Sequence, residues 1–148
     1  MGIWGIAYTS RALGNITPHL LERLLVQARW FNEQAGVTGV LLHSGDTFFQ
    51  YFEGPRASVE RVYARIRGSD LHAGLVEIFS QAVPQRSFSH WHMACAQAPQ
   101  TLVQELCNEQ WDIASSSLDR RAIPLGLNLL MRFWDSVQDK VPLPVGNA

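Results

Sequence analysis

The chain has 148 residues, of which 47% are hydrophobic and 17% charged, with a formal net charge of −1. That length suits one domain with at most a short extra subdomain, and the apolar share supports a real core, which excludes a disordered chain up to the tail. Near-neutral charge gives no bulk attraction to nucleic acid or to an anionic membrane; with no signal-like opening and no bilayer-length apolar run, a cytoplasmic location is expected.

Residues 3–10, IWGIAYTS, read as a short buried strand with Trp4, Ile6 and Tyr8 on one face. Residues 15–18 punctuate the chain before a helix, with Thr17 as N-cap and Pro18 at the first helical position. The helix runs to about Ala35 and Gly36 ends it. Leu21, Leu24, Leu25 and Ala28 form its apolar face, and Asn32 lies four residues beyond Ala28 on that face. Residues 37–43, VTGVLLH, and 47–53, TFFQYFE, read as strands joined by a Ser44-Gly45-Asp46 hairpin turn. Phe48, Gln50 and Phe52 share a face of the latter.

Gly54-Pro55 opens a second helix whose buried stripe is Val59, Val62, Tyr63 and Ile66. Residues 68–74 are expected as a loop, and 75–82 and 91–96 as strands joined by a polar connection containing Pro84. Pro99 starts a third helix with Leu102, Val103 and Leu106 inward, and a fourth spans 124–139 with Leu127, Leu130, Met131 and Trp134 inward. The tail, VPLPVGNA, is expected to be mobile.

The order β-α-β-β-α-β plus one strand implies an α+β, ferredoxin-like, five-stranded mixed sheet. Two helices should cover one face and two C-terminal helices the other. The expected division is 1–97 for the main domain, 98–140 for the helical cap and 141–148 for the tail. In this topology the first and third strands are central neighbours, so Tyr8 and Gln50 should meet, and the first helix should bring Asn32 towards them.

Tyr8, Asn32 and Gln50 are polar side chains on surfaces that otherwise read as buried. An unpaired buried amide or hydroxyl costs about 1–3 kcal/mol, so each needs a partner. Taken singly, each has a simple local answer: a backbone carbonyl for the tyrosine, a helix C-cap for the asparagine, a sheet edge for the glutamine. Taken together, on converging elements, they point to a planar polar ligand. A glutamine amide bridges a phenol to a heteroaromatic ring because it both donates and accepts, an asparagine amide pairs with a ring carbonyl and its adjacent N–H, and Phe48 with the helix aliphatics supplies apolar walls.

Other chemistry is absent from the pattern. Cys95 and Cys107 match no metal or redox spacing and are expected as reduced thiols in or near the core. There is no GxGxxG and no P-loop. His90 and His92 lack a third ligand, and Asp112, Asp119 and Asp135 form no constellation.

The stretch GVTGVLLHSGDTFFQYFEG, residues 36–54, resembles the BLUF domains, the flavin-binding blue-light sensors. The likeness extends from Tyr8 in IAYTS to HWHMA at residues 90–94, about two thirds of the chain, and the two trailing helices resemble the small stand-alone members. By this resemblance Tyr8 is the photoactive electron and proton donor, Gln50 the switch between that tyrosine and the flavin, and Asn32 the anchor of the ring's carbonyl and imide N–H. Trp91 and Met93 resemble the pair that responds to the glutamine; a spacing of two puts both on one strand face with Cys95, and from the residues alone ordinary core packing is the better account of them. Arg65 and His72 resemble positions near the phosphate side of the flavin, or else belong to a solvated basic surface with Arg56, Arg61 and Arg67.

Two departures matter. Relatives often read Asp-Pro-Arg-His where this chain has Ser69-Asp70-Leu71-His72, which leaves the phosphate contacts and the choice of FMN or FAD open. Ala28 stands where some relatives carry a serine. The expected cofactor-binding set is thus Tyr8, Leu25, Ala28, Asn32, Leu41, Phe48, Gln50, Arg65, His72 and Met93, with no metal.

The implied function is a blue-light photoreceptor, not an enzyme, that signals to a separate partner. Self-association is expected through the last two helices, with Trp111, Phe133 and Trp134 on or just beneath their exposed faces. A flavin-free ferredoxin-like interaction module, in which the three polar residues pair internally, is the alternative.

Overall fold

A computed structural model of the chain describes residues 2–13, 16–69, 72–111 and 123–137. The elements are β1 (Ile3–Ala12), α1 (Pro18–Ala35), β2 (Thr38–Ser44), β3 (Thr47–Pro55), α2 (Arg56–Arg67), β4 (His72–Val83), β5 (Ala94–Gln97), α3 (Gln100–Asn108) and α4 (Leu125–Ser136). They build one five-stranded sheet in the order β4-β1-β3-β2-β5. β5 joins β2 in parallel, and the other pairs are antiparallel. This is the ferredoxin-like arrangement expected from the element order.

Strand alternation sorts the core into two layers. Ile6, Tyr8 and Phe52 pack under α2 with Val59, Val62, Tyr63 and Ile66. Leu41, Phe48, Met93 and Cys95 pack under α1 with Leu25. The intervening residues Ala7, Phe49 and Tyr51 face the opposite side, where they meet Val103 and Leu106 of α3 and Leu127, Leu130 and Trp134 of α4. Helix α1 starts where the sequence puts it: Pro18 follows Thr17, whose hydroxyl accepts the Leu20 N–H at 3.1 Å. It stops at Gly36, which takes φ 71°, a conformation that costs a side chain but not glycine.

Several expectations are corrected. β4 begins at His72, inside the expected loop, because the backbone of residues 72–76 completes the ladder to β1. Its register against β1 shifts near Tyr8 and again between Thr9 and Arg11, and Gly74 at φ 65° lies beside the second shift. The expected strand over 91–96 forms only from Ala94. The backbone at 91–93 bonds elsewhere: the Trp91 carbonyl accepts from Gly39 N–H at 2.9 Å, the His92 carbonyl from Asn32 Nδ2 at 2.6 Å, and the Met93 carbonyl from Arg29 Nε at 3.2 Å.

Trp91 and Met93 consequently do not share a face. Met93 packs under α1, whereas Trp91 packs against the core beneath α3 and α4. Cys107 is exposed, while Cys95 is buried. Trp111 and Trp134 lie beneath the surface, both buried, and Phe133 is half-buried. The expected end of the fourth helix, the tail, Asp70, Leu71, Asp112 and Asp119 lie outside the described residues.

Glu53 ties the sheet to the segment before β5. Its carboxylate accepts the Ser87 and Phe88 N–H groups, each at 2.6 Å, and the Tyr51 hydroxyl at 2.9 Å. Burial pushes its acidity towards the neutral form, and these donors together with Arg86 pull it back.

Candidate functional site

Between α1, α2 and the sheet lies a cavity of about 510 Å³, part of it open to solvent. Leu24, Leu25 and Ala28 of α1 form one wall, and Leu41, Phe48 and Met93 a second. Tyr8, Ser10 and Gln50 rise from the sheet, and Arg65, Ile66, Ser69 and His72 line the α2 side. Every member of the expected cofactor-binding set except Asn32 lines this cavity.

Tyr8 and Gln50 are direct cross-strand partners in the β1–β3 register. Alternation puts both side chains on the helix-covered face, and the β1–β4 register shifts beside Tyr8. The Tyr8 hydroxyl donates to Gln50 Oε1, and Gln50 Nε2 donates to Met93 Sδ at 3.7 Å. One amide therefore joins a phenol to a thioether along the cavity wall. Burial, with a smaller contribution from Tyr63, pushes the Tyr8 phenol far above its ordinary acidity range, so it is neutral and keeps its proton to donate.

Two buried polar atoms on the cavity, Ser10 Oγ and His72 Nδ1, have no hydrogen-bond partner among the described residues. Such atoms are costly when left unpaired, and a polar ligand in the cavity would give them partners. Burial also lowers the basicity of His72, a shift that a backbone hydrogen bond at Ile66 partly offsets. Arg65 reaches Gln27 Oε1 at 3.3 Å and lies 3.5 Å from the centre of the Phe31 ring. The cavity thus has apolar walls, a hydrogen-bonding edge at Gln50 and Tyr8, and a cationic side at Arg65. A flavin, with a flat ring, a polar pyrimidine edge and a phosphate chain, fits that distribution.

Asn32 is buried beside the cavity but not on its wall, with its Nδ2 committed to the His92 carbonyl. Trp91 is also off the wall. Sequence reasoning missed Ser10 and Arg29. Ser10 follows Tyr8 by two on the same strand face, and Arg29 lies on the inner flank of α1 between Leu25 and Asn32, so both were within reach of the periodicity.

The family profile described as "BLUF: Sensors of blue-light using FAD" matches residues 3–94. The chain belongs to the BLUF family. A BLUF domain is a flavin-dependent blue-light sensor, so the cofactor of this chain is a flavin.

Among its relatives is the blue light- and temperature-regulated antirepressor BluF of Escherichia coli K12, 37% identical over 68 residues, 46% of this chain and 17% of that protein. The photoactivated adenylate cyclase subunit beta of Euglena gracilis is 29% identical over 92 residues, 62% of this chain and 11% of that protein. The chain thus matches less than a fifth of the length of these relatives. Among solved structures, BlrB, described as a BLUF protein in its dark state, superposes with a TM-score of 0.68 at 22% identity, over 88% of this chain and 93% of that one. Klebsiella pneumoniae BlrP1, solved with FMN and cyclic diGMP, superposes with a TM-score of 0.59 at 27% identity, over 64% of this chain and 26% of that one. Among the described residues no helix is long and apolar enough to cross a membrane.

Proposed function

We propose that this BLUF domain works as a light-driven hydrogen-bond switch built from Tyr8, Gln50 and Met93. The observation that carries the reading is the continuous Tyr8–Gln50–Met93 chain on the wall of a cavity where Ser10 Oγ and His72 Nδ1 have no hydrogen-bond partner among the described residues. A flavin bound there supplies a strong one-electron oxidant on absorbing blue light. Tyr8 is the electron donor, and a phenol that has lost an electron becomes a strong acid. Its proton passes to Gln50 Oε1, already the acceptor of its hydroxyl. When electron and proton return to Tyr8, the Gln50 amide is left rotated or tautomerised. Gln50 Nε2 then leaves Met93 Sδ, and the Met93 side chain and the backbone at 91–93 are free to rearrange.

The residues assigned to hold the flavin are Leu25, Ala28, Leu41 and Phe48 against its ring, Asn32 through its Oδ1, and Arg65 and His72 towards the phosphate. FAD follows from the family description, and FMN, named for the BlrP1 structure, is the alternative. The domain acts as a sensor rather than an enzyme, and it passes its signal to a separate protein. An absorption spectrum of the purified protein before and after blue light tests this. A flavin band that moves slightly to the red and recovers in darkness is the expected result. A flavin band that bleaches or stays fixed overturns the switch, and no flavin band after addition of FAD or FMN returns the interaction-module reading.

A further inference from the structure

The outer face of α1 carries a stripe that the fold of one chain does not use. Val26 is 56% exposed and Trp30 is 59% exposed, while the opposite face of the same helix buries Leu25 and Asn32. Trp30 meets Phe31 edge-on, with ring centres 4.9 Å apart. An indole this exposed, followed by a half-exposed phenyl ring, is an unusual use of aromatic surface.

The stripe continues in both directions as His19, Arg23, Val26, Trp30 and Glu33, all exposed, at spacings of four, three, four and three. That is the period of a helix–helix seam. The order along it matters more than the period. An apolar pair sits in the middle, a cation precedes it by three residues, and an anion follows it by three. About a two-fold axis crossing the helix at residue 28, position 23 faces position 33 of the other copy, and position 26 faces position 30. Arg23 then meets Glu33, and Val26 meets Trp30, twice over. Within one chain, neither Arg23 nor Glu33 has an ion-pair partner among the described residues.

We propose that the partner of this stripe is a second copy of the chain, docked antiparallel along α1 as a two-fold dimer. A self-complementary patch is what an isologous contact requires, and the charge order of this helix satisfies it only in the antiparallel sense. A parallel pair sets Arg23 against Arg23 and Glu33 against Glu33. An unlike protein or a membrane surface gains nothing from the symmetry of the order. This face is distinct from that of α3 and α4, beneath which Trp111 and Trp134 are buried.

One helix face is small beside a standard interface, so the dimer is weak and tightens at low salt. Sedimentation equilibrium of the full chain, in darkness and low salt, tests it with surface variants whose folding is checked by circular dichroism. Arg23→Glu and Glu33→Arg each put like charges together and weaken the dimer by roughly tenfold. The double variant Arg23→Glu/Glu33→Arg restores the pairing with the charges exchanged and returns to near the wild-type constant. Trp30→Glu weakens it by roughly thirtyfold or more. A wild-type chain that stays monomeric to several hundred micromolar overturns the proposal. So does a dimer indifferent to these changes, or a double variant no tighter than the single ones. None of these readouts needs light or a flavin.

Discussion

Tyr8 and Gln50 act as one unit because the β1–β3 register makes them direct partners and burial keeps the phenol protonated. Tyr8→Phe keeps the ring and removes the donor, so the purified variant should remain yellow and lose the light-induced red shift. Gln50→Leu should have the same phenotype by removing the bridge, and a normal photocycle in either variant contradicts the switch. His72 carries a pH prediction. Burial holds its folded-state pKa below the ordinary 6.5, so the folded protein resists protonation more than the unfolded chain does. Its contribution to stability is present above the ordinary value and is lost as pH falls through the folded value. His43 is shifted in the same direction by burial. Urea unfolding at about pH 7.5 and about pH 5 should therefore show lower stability in acid, with the difference reduced in His72→Gln. At this scale the sequence was informative wherever a polar residue interrupted an apolar period, as at Tyr8, Gln50 and Asn32. It was silent on Asn32's partner, because a backbone carbonyl sixty residues away leaves no mark in the pattern.

The elements were legible where local chemistry sets them. Thr17, Pro18 and Gly36 bracket α1 through a side-chain cap, a fixed φ and a left-handed terminus, and all three act within a few residues. Thr17→Ala should cost about 1 kcal/mol of stability in a urea titration, since it leaves the Leu20 N–H without its partner. The start of β4 and the short β5 were not legible, because a ladder depends on the strand beside it. Residues 72–74 look like loop in isolation, yet β1 has free edge positions for them. Residues 91–93 look like strand in isolation, yet α1 and Gly39 take their carbonyls. Glu53 is the other long-range fastening. Glu53→Ala should destabilise the domain by about 2–4 kcal/mol, because it strands the Ser87 and Phe88 N–H groups. A loss below 1 kcal/mol in urea denaturation would mean that water or a rearranged loop satisfies them.

On the scale of the whole molecule, α1 stands between the Tyr8–Gln50–Met93 chain and the surface. Its inner side holds the backbone at 92 and 93 through Asn32 and Arg29, and its outer side carries the Arg23–Glu33 stripe. If Gln50 releases Met93 in the light, the carbonyl grips on α1 and the path through β5 into α3 are the first to feel it. Amide hydrogen exchange should accelerate over residues 91–97 and along α3 on illumination, and identical exchange in dark and light would exclude this route. The sequence by itself determined the family, the element order and most of the residues that line the cavity. Each of those is written in local periodicity, in turn chemistry, or in polar residues at positions that should be greasy. Only the tertiary structure decided that Met93 faces the cavity while Trp91 turns to the other core, that Asn32 spends its amide on a carbonyl, and that Trp30 rather than Trp111 or Trp134 is the tryptophan left in solvent. Those outcomes depend on which surface of a bend or helix finds a distant partner first claimed by another residue, and a one-dimensional pattern does not record distance in space.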